Sequence, residues 1–387
     1  MAQDTTQDSR SKERTAPEPE DSRKPDSPTE ISKPSWGYVF KRAASEFSKD
    51  DCTDLAASLT YFAVLSLFPA LLAIVSLLGV FGQGEATTRA ITDFLGQYAP
   101  AELVTLLEGP INNLTTSTGA GLALFTGLLG ALWTASGYTG AFGRAMNRIY
   151  EVEEGRPVWK LRPMNILVTL MLVLIVVLIM LMVLLSGGIA QWVGDLVGLG
   201  STAVTVWNIA KWPVVVAFAI VLIAVLYYFT PNVQQPKFRW ISMGSIVALL
   251  VAALAAAAFT WYVINFATYN ATYGIIGSVI ILLLGLWIIN NVLLLGAEID
   301  AEVERGRQLQ GGIKAEETIQ LPPRDTRQVD KKEKKEEKLV DQGRKLRLEH
   351  EHLDYSSGDS DKSSDKSSDE SSGQDADRDS RTASGRS

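Results

Sequence analysis

The chain has 387 residues, a formal net charge of −7 and 47% hydrophobic residues, and these averages blend a greasy middle with two very polar ends. A single cysteine, Cys52, excludes an intramolecular disulfide and a cysteine-based metal cage. The only histidines, His350 and His352, lie far along the polar C-terminal end, so the clustered ligands of a metal-dependent hydrolase are absent.

Residues 1–34 are mostly charged, Ser, Thr and Pro, and read as a disordered cytoplasmic tail without a cleavable signal, leaving the first apolar span to direct insertion. Trp36, Val39, Phe40, Ala43 and Phe47 then recur at helical spacing opposite Lys41, Arg42, Glu46 and Lys49, which predicts an amphipathic helix lying in the cytoplasmic headgroup layer. Asp50 or Asp51 is expected to cap the following helix, with Asp54 in its first turn matching the helix dipole. The plain reading of Asp54 is a helix-start residue.

Six stretches are long and apolar enough to cross a hydrocarbon core of about 30 Å, which needs roughly 20 residues of helix. They fall at about 59–81, 120–141, 164–186, 204–229, 246–266 and 275–297. The first carries Tyr61, Ser66 and Pro69; the proline frees the Leu65 carbonyl, and Ser66 is placed to compensate. The second is diluted by Thr126, Thr134, Ser136 and several glycines, whereas the third is unbroken Leu, Val, Ile and Met from Leu170 to Leu185. The fifth contains a run of alanines from Ala252 to Ala258, interrupted only by Leu254, a surface that another backbone or a lipid chain can approach closely. Between the fifth and sixth, Asn265, Tyr269, Asn270 and Tyr273 make a polar, aromatic turn ending at Gly274: a tight hairpin or the mouth of a site. Asn290 and Asn291 in the sixth span point in different directions, so at least one is expected to find an interhelical partner.

Basic residues fall on alternate connections. Arg144, Arg148, Arg156, Lys160 and Arg162 follow the second span, and Lys237 and Arg239 follow the fourth. By the positive-inside rule these loops and both termini are cytoplasmic. Glu151, Glu153 and Glu154 offset three of the five charges in the longer loop, which argues against nucleic acid as a partner and for contact with anionic lipid headgroups. Arginine in particular suits bidentate phosphate recognition. Trp159, Trp240, Tyr150, Tyr227 and Tyr228 on one side, and Trp192, Trp207 and Trp212 on the other, fit interfacial belts, and Trp287 fits packing. Beyond about residue 307 the chain is polar to its end, with Pro322 and Pro323 as punctuation, a mixed-charge helix around 326–350 and a Ser/Asp/Gly tract after 356. The fold class is therefore all-α: a polytopic membrane protein with six transmembrane helices in 35–306, an N-terminal interfacial amphipathic helix, and mostly disordered tails at 1–34 and 307–387 in a multi-pass plasma-membrane protein.

Asp54-Leu-Ala-Ala-Ser-Leu-Thr-Tyr61 running into Leu65-Ser-Leu-Phe-Pro69 resembles the first-span signature of the YihY / virulence factor BrkB family of inner-membrane proteins. So do Leu132-Trp-Thr-Ala-Ser136, Ala145-Met-Asn147-Arg-Ile-Tyr150, Glu154-Gly-Arg156-Pro157, Tyr228-Phe-Thr-Pro231-Asn232, Phe238-Arg239-Trp240, Asn265-Phe-Ala-Thr-Tyr269-Asn270, Thr272-Tyr273-Gly274 and Leu295-Gly-Ala-Glu-Ile-Asp300. The resemblance runs collinearly from about Lys41 to Arg305 and implies six transmembrane helices with cytoplasmic termini. The family's old label, ribonuclease BN, finds no support in the ligand chemistry of this chain. The leading reading is a non-enzymatic envelope protein, without cofactor or metal, that moves lipid or another envelope component between leaflets. The alternative is a scaffold whose tails recruit protein partners; a tRNA-processing ribonuclease ranks below both. The candidate functional residues are Asp54, Tyr61, Pro69, Arg144, Asn147, Glu154, Arg156, Pro231, Arg239, Asn265, Tyr269, Asn270 and Tyr273.

Overall fold

A computed structural model describes residues 11–25, 30–81, 120–184, 201–236, 242–265 and 268–372. Eight long helices order the chain: α1 (Lys33–Lys49), α2 (Cys52–Phe81), α3 (Ala120–Ile149), α4 (Val158–Leu184), α5 (Ser201–Phe229), α6 (Met243–Asn265), α7 (Thr268–Gln310) and α8 (Arg327–Ser372). Among the described residues, four segments are long and apolar enough to span a membrane: Val158–Val183, Thr202–Phe229, Met243–Tyr262 and Val279–Gln310. On α4, Leu167, Leu170, Val173, Leu174, Val176 and Val177 are all exposed, an outward apolar surface suited to lipid. The chain forms two units, residues 1–328 and 329–387.

In the first unit α2 packs on α3 and α7, α3 on α4, α4 on α5, and α6 on α7. Asp51 meets Arg148 while Phe62 lies against Gly137, so α2 and α3 run antiparallel. At the α6–α7 crossing the backbones touch: a Cβ on Gly296 would lie 2.6 Å from the Ala248 Cβ and 2.7 Å from the Gly244 carbonyl oxygen. Only glycine permits that approach. The same crossing carries a cap, because the Gly244 N–H donates to Asp300 Oδ1 (2.6 Å), setting a carboxylate at the start of α6. Ser242 and Ser245 complete it by reciprocal backbone-to-hydroxyl bonds of 3.0 and 3.1 Å.

Four expectations are corrected. The apolar stripe of α1 is covered by protein: Val39 and Ala43 are buried with Ile299 and Val303 of α7, and Trp36 packs beside them, while Phe40 stays exposed. Neither Asp50 nor Asp51 caps α2 with its side chain. Asp50 ends α1, Asp51 takes the left-handed conformation (φ 52) that separates the two helices, and both carboxylates face Arg148. Ser66 Oγ donates to the Ala63 carbonyl (2.7 Å), not to that of Leu65. The predicted polar turn is largely helix, since α7 starts at Thr268 and the segment holds no proline to stop it.

The tail boundary also moves. At 43 residues α7 is about 65 Å long, twice what a hydrocarbon core needs. Its last turns bury Glu298, Glu302, Arg305 and Gln308, and residues 313–321 fold back so that Ile319 and Leu321 join the main core. Residues 11–25 belong to the same body, with Lys12 and Lys24 buried. Composition suggested disorder for these stretches because their few apolar residues look too sparse to hold them; the few that exist, Ile319 and Leu321 among them, are buried in the core, and buried ion pairs fix the rest. The second unit consists of most of α8, a mixed-charge helix with Leu339, Val340, Leu346 and Leu348 exposed along it.

Candidate functional site

The charged end of the bundle holds most of the polar chemistry. After α3, Glu151 adopts a left-handed conformation (φ 55) and the chain turns back through Glu154-Gly-Arg156-Pro157. Here Arg156, only 8% exposed, grips Glu154 with both prongs, Nε to Oε1 at 2.8 Å and Nη2 to Oε2 at 2.7 Å. Its Nη2 also donates to the Thr230 carbonyl at 2.7 Å. Asn147 Nδ2 donates to Glu154 Oε2 (3.0 Å), and Asn147 Oδ1 accepts the Asn232 N–H (2.6 Å). Asn232 then donates from Nδ2 to the carbonyls of Glu153 (2.9 Å) and Asp325 (2.8 Å). Three separate loops are thus tied into one knot, and the buried Pro231 sits within it. Gly155 is tight against it as well, since a Cβ there would fall on the Asp325 carbonyl. Arg324 closes the far side, donating to the carbonyls of Val233 (2.8 Å) and Tyr228 (2.6 Å), and burial lowers its pKa. Arg327 beside Asp325 holds that carboxyl well below the usual carboxylate range.

A second network anchors the returning segment to α7. Arg305, 1% exposed, donates from Nε to both Glu302 oxygens (3.0 Å each), from Nη1 to the Ala315 carbonyl (2.9 Å) and from Nη2 to Glu151 Oε1 (2.9 Å). Glu151 Oε2 accepts the Ile319 N–H at 2.8 Å. Lys24 pairs with Glu304 at 2.9 Å, and Cys52 lies buried with its thiol 3.3 Å from Glu298 Oε1. A cavity of about 140 Å³ opens beside this network, lined among others by Tyr150, Tyr228, Ser242, Asp300 and Arg307. Its acids are engaged: Asp300 caps α6, and Glu304 receives Lys24, Arg307 and Gln308.

Within the bundle, Tyr138 donates to Asn290 Oδ1 (2.8 Å) and Asn290 Nδ2 donates to Thr60 Oγ1 (3.1 Å), linking α3, α7 and α2. Asn291 bonds the Trp287 carbonyl of its own helix, and Trp287 Nε1 reaches the Thr53 carbonyl. Thr139 and Thr169 join α3 to α4 at 2.7 Å.

The sequence-predicted residues therefore divide. Asn147, Glu154, Arg156 and Pro231 come together in the knot. Asp54 is exposed in the first turn of α2, Tyr61 is 61% exposed with its ring edge-on to Phe62, and the Arg144 guanidinium lies over the Phe62 ring at 5.6 Å. Asn265 is far from these, at the other end of α6, bonded to the Trp261 carbonyl. Pro69 lies within α2 and Tyr269, Asn270 and Tyr273 in the first turns of α7, placed by backbone alone; Arg239 lies outside the described residues. Sequence reasoning passed over Asn232, Glu151, Glu302, Arg305 and Asp325. The spacing of Glu298, Glu302 and Arg305 along one face, directly after an apolar span, was the available signal. Among the described residues no group of three or more His, Cys, Asp or Glu is placed to hold a metal ion.

The sequence profile of the virulence factor BrkB family matches residues 43–319, taking in the bundle, the knot and the returning segment. The chain belongs to that family. Its relatives include the putative ribonuclease-like protein YfkH of Bacillus subtilis (strain 168), 29% identical over 270 residues, or 70% of this chain and 96% of that one. UPF0761 membrane proteins of Alkalilimnicola ehrlichii (29% over 262 residues) and Laribacter hongkongensis (28% over 273 residues) match 66% and 69% of this chain. The BrkB-family chain spans only 56% and 60% of those two relatives' lengths. No solved structure matches. The chain is a multi-pass membrane protein.

Proposed function

We propose that the protein works in the cell membrane as a six-span bundle with both termini cytoplasmic, where it handles phospholipid and moves it between leaflets without catalysing a reaction. The charged end of the bundle is then the cytoplasmic face, as the distribution of Lys and Arg favours. The observation that carries the reading is how the family motifs spend their charges. Glu154 and Arg156 satisfy each other in the knot, which suits a structural clamp and takes this pair out of acid–base use. Arg144 remains exposed, its guanidinium over the Phe62 ring. α6 adds exposed Ala253, Ala256 and Ala257, a smooth track for an acyl chain.

Reconstitution tests this. Proteoliposomes holding the full chain should expose inner-leaflet fluorescent phospholipid to a membrane-impermeant quencher faster than protein-free liposomes; equal rates would end the transport reading. The scaffold reading draws on α8, whose exposed Leu339, Val340, Leu346 and Leu348 offer a surface for a partner protein. A chain ending after residue 328 separates the two. Retained activity in a knockout favours transport, and loss favours recruitment. Cutting at 306 is the wrong experiment, because residues 308–321 are part of the packed body.

A further inference from the structure

Most described arginines of the charged end have carboxylate or carbonyl partners; Arg14, Arg144 and Arg162 do not. Arg148 is held by Asp51 (2.7 Å), Arg156 by Glu154, Arg305 by Glu302 and Glu151, Arg307 by Glu304 (2.7 Å), and Arg324 by backbone carbonyls. Among the described residues Arg144 has only the Phe62 ring at 5.6 Å, and Arg162 only the Trp133 ring at 5.2 Å. Next to Arg144 lies a second group without a partner. Asn165, on the second turn of α4, is 5% exposed, and its side-chain amide makes no hydrogen bond among the described residues. Its backbone carbonyl is already taken by Thr169 Oγ1 at 2.7 Å.

Both groups converge on one glycine. A Cβ on Gly140 would lie 3.0 Å from Asn165 Nδ2 and 3.9 Å from Arg144 Nη1. The missing side chain makes room for the amide against α3 and keeps the space between the two donors open. Neither amide atom of Asn165 is sealed off without a partner, so its N–H can be offered to a ligand, and an exposed arginine with no ion-pair partner attracts an anion. The acid on α2, Asp54 in its first turn, is exposed and makes no ion pair with Arg144, and Asp50 and Asp51 between α1 and α2 are engaged by Arg148, one turn further along α3. Phosphate oxygens fit the pair of donors: guanidinium supplies a charged fork and the asparagine a neutral N–H.

We infer that Arg144, Asn165 and Gly140 form a binding site for the phosphodiester of an anionic phospholipid in the cytoplasmic leaflet, with the Phe62 ring as its floor. Naming a lipid as the source rests on the proposed lipid-handling role; the oxyanion site itself does not. The acyl chains lie along the exposed apolar face of α4.

The test uses the purified full-length chain in zwitterionic detergent, with native mass spectrometry measuring bound phosphatidylglycerol. The wild type should retain one lipid that survives dilution. Arg144→Gln and Asn165→Leu should each weaken retention about tenfold, the size of one lost charge-assisted or buried hydrogen bond. Gly140→Ala should weaken it less, by crowding Asn165. Lys160→Gln, which removes an exposed cation paired with Asp325, should leave retention unchanged. Unfolding midpoints check that each variant is folded, and the outward position of Arg144 keeps Arg144→Gln informative if Asn165→Leu is not. Wild-type retention by folded Arg144→Gln would overturn the site. Displacement of the lipid by inorganic phosphate at equal concentration would overturn its assignment to a lipid. The flip assay stays separate: lost retention with unchanged flip rates keeps the site and refutes transport.

Discussion

Replacing Arg156 by lysine separates a clamp from a mere topology determinant. The wild-type guanidinium donates from Nε to Glu154 Oε1 (2.8 Å) and from Nη2 to Glu154 Oε2 (2.7 Å) and the Thr230 carbonyl (2.7 Å). A lysine ammonium is a point donor. It keeps one carboxylate contact and gives up either the second oxygen or Thr230, leaving a buried acceptor short of a partner. A hydrogen bond to a charged group contributes about 1.5–3 kcal/mol, and Glu154 is 22% exposed, so water recovers part of the loss. The expected destabilisation is about 2 kcal/mol. Equilibrium unfolding of the full chain in mixed micelles measures it. A double-mutant cycle with Glu154→Gln should return a coupling energy of about 1–2 kcal/mol, since the two residues share one network. The positive-inside rule counts charge and not shape, so on a topology-only account the lysine variant is silent. Stability within about 0.5 kcal/mol of wild type, with no coupling to Glu154, would refute the clamp.

Asn290→Leu should cost about 1–2 kcal/mol by stranding the Tyr138 hydroxyl, which donates to it, and removing the donor to Thr60, read by the same unfolding assay; a neutral result would mean that those groups find other partners. Gly296→Ala should prevent accumulation of folded protein, seen as loss of the monodisperse peak in detergent, because its Cβ would meet Ala248 and the Gly244 carbonyl. Burial raises the pKa of Asp50 to about 6, so its ionised form is the one the folded chain disfavours. Its contribution to stability is present in full below about pH 4 and is lost as pH rises through about 6. Asp50→Asn should flatten that part of the stability–pH curve, and an unchanged slope would place the titration elsewhere. Cysteines placed at Ser117 and Gly200 should react with an impermeant maleimide from outside intact cells, while one at Val158, which is 63% exposed, should not. The silence of native Cys52 carries no weight in that assay, because its side chain is buried.

The membrane helices were legible because hydropathy is a sum over some 20 residues, and a few polar groups do not change it. α4 is the clearest case, unbroken from Leu170 onward. The knot was legible in part: Asn147, Glu154 and Arg156 were picked out within family motifs, but their roles were not readable, because what an arginine does depends on whether a carboxylate lies within 3 Å of it. Arg144 and Arg156 look alike in sequence, each basic and each beside a span. One is consumed by Glu154 two residues away; the other meets only a ring. The ends of the body were misread for a related reason. Composition equates charge with solvent, yet Lys12 and Arg305 are buried against Glu151, and Lys24 against Glu304, across long sequence separations, while Glu302 pairs locally with Arg305. Such pairs are weak evidence of stability by themselves, since desolvation offsets much of their attraction. They are specific, however. Each fixes which polar segment lies against which helix. The ion pairs thus act together with the apolar anchors Ile319 and Leu321 in setting which segment lies where at the charged end, and the donors left over from them are the ones available to a ligand.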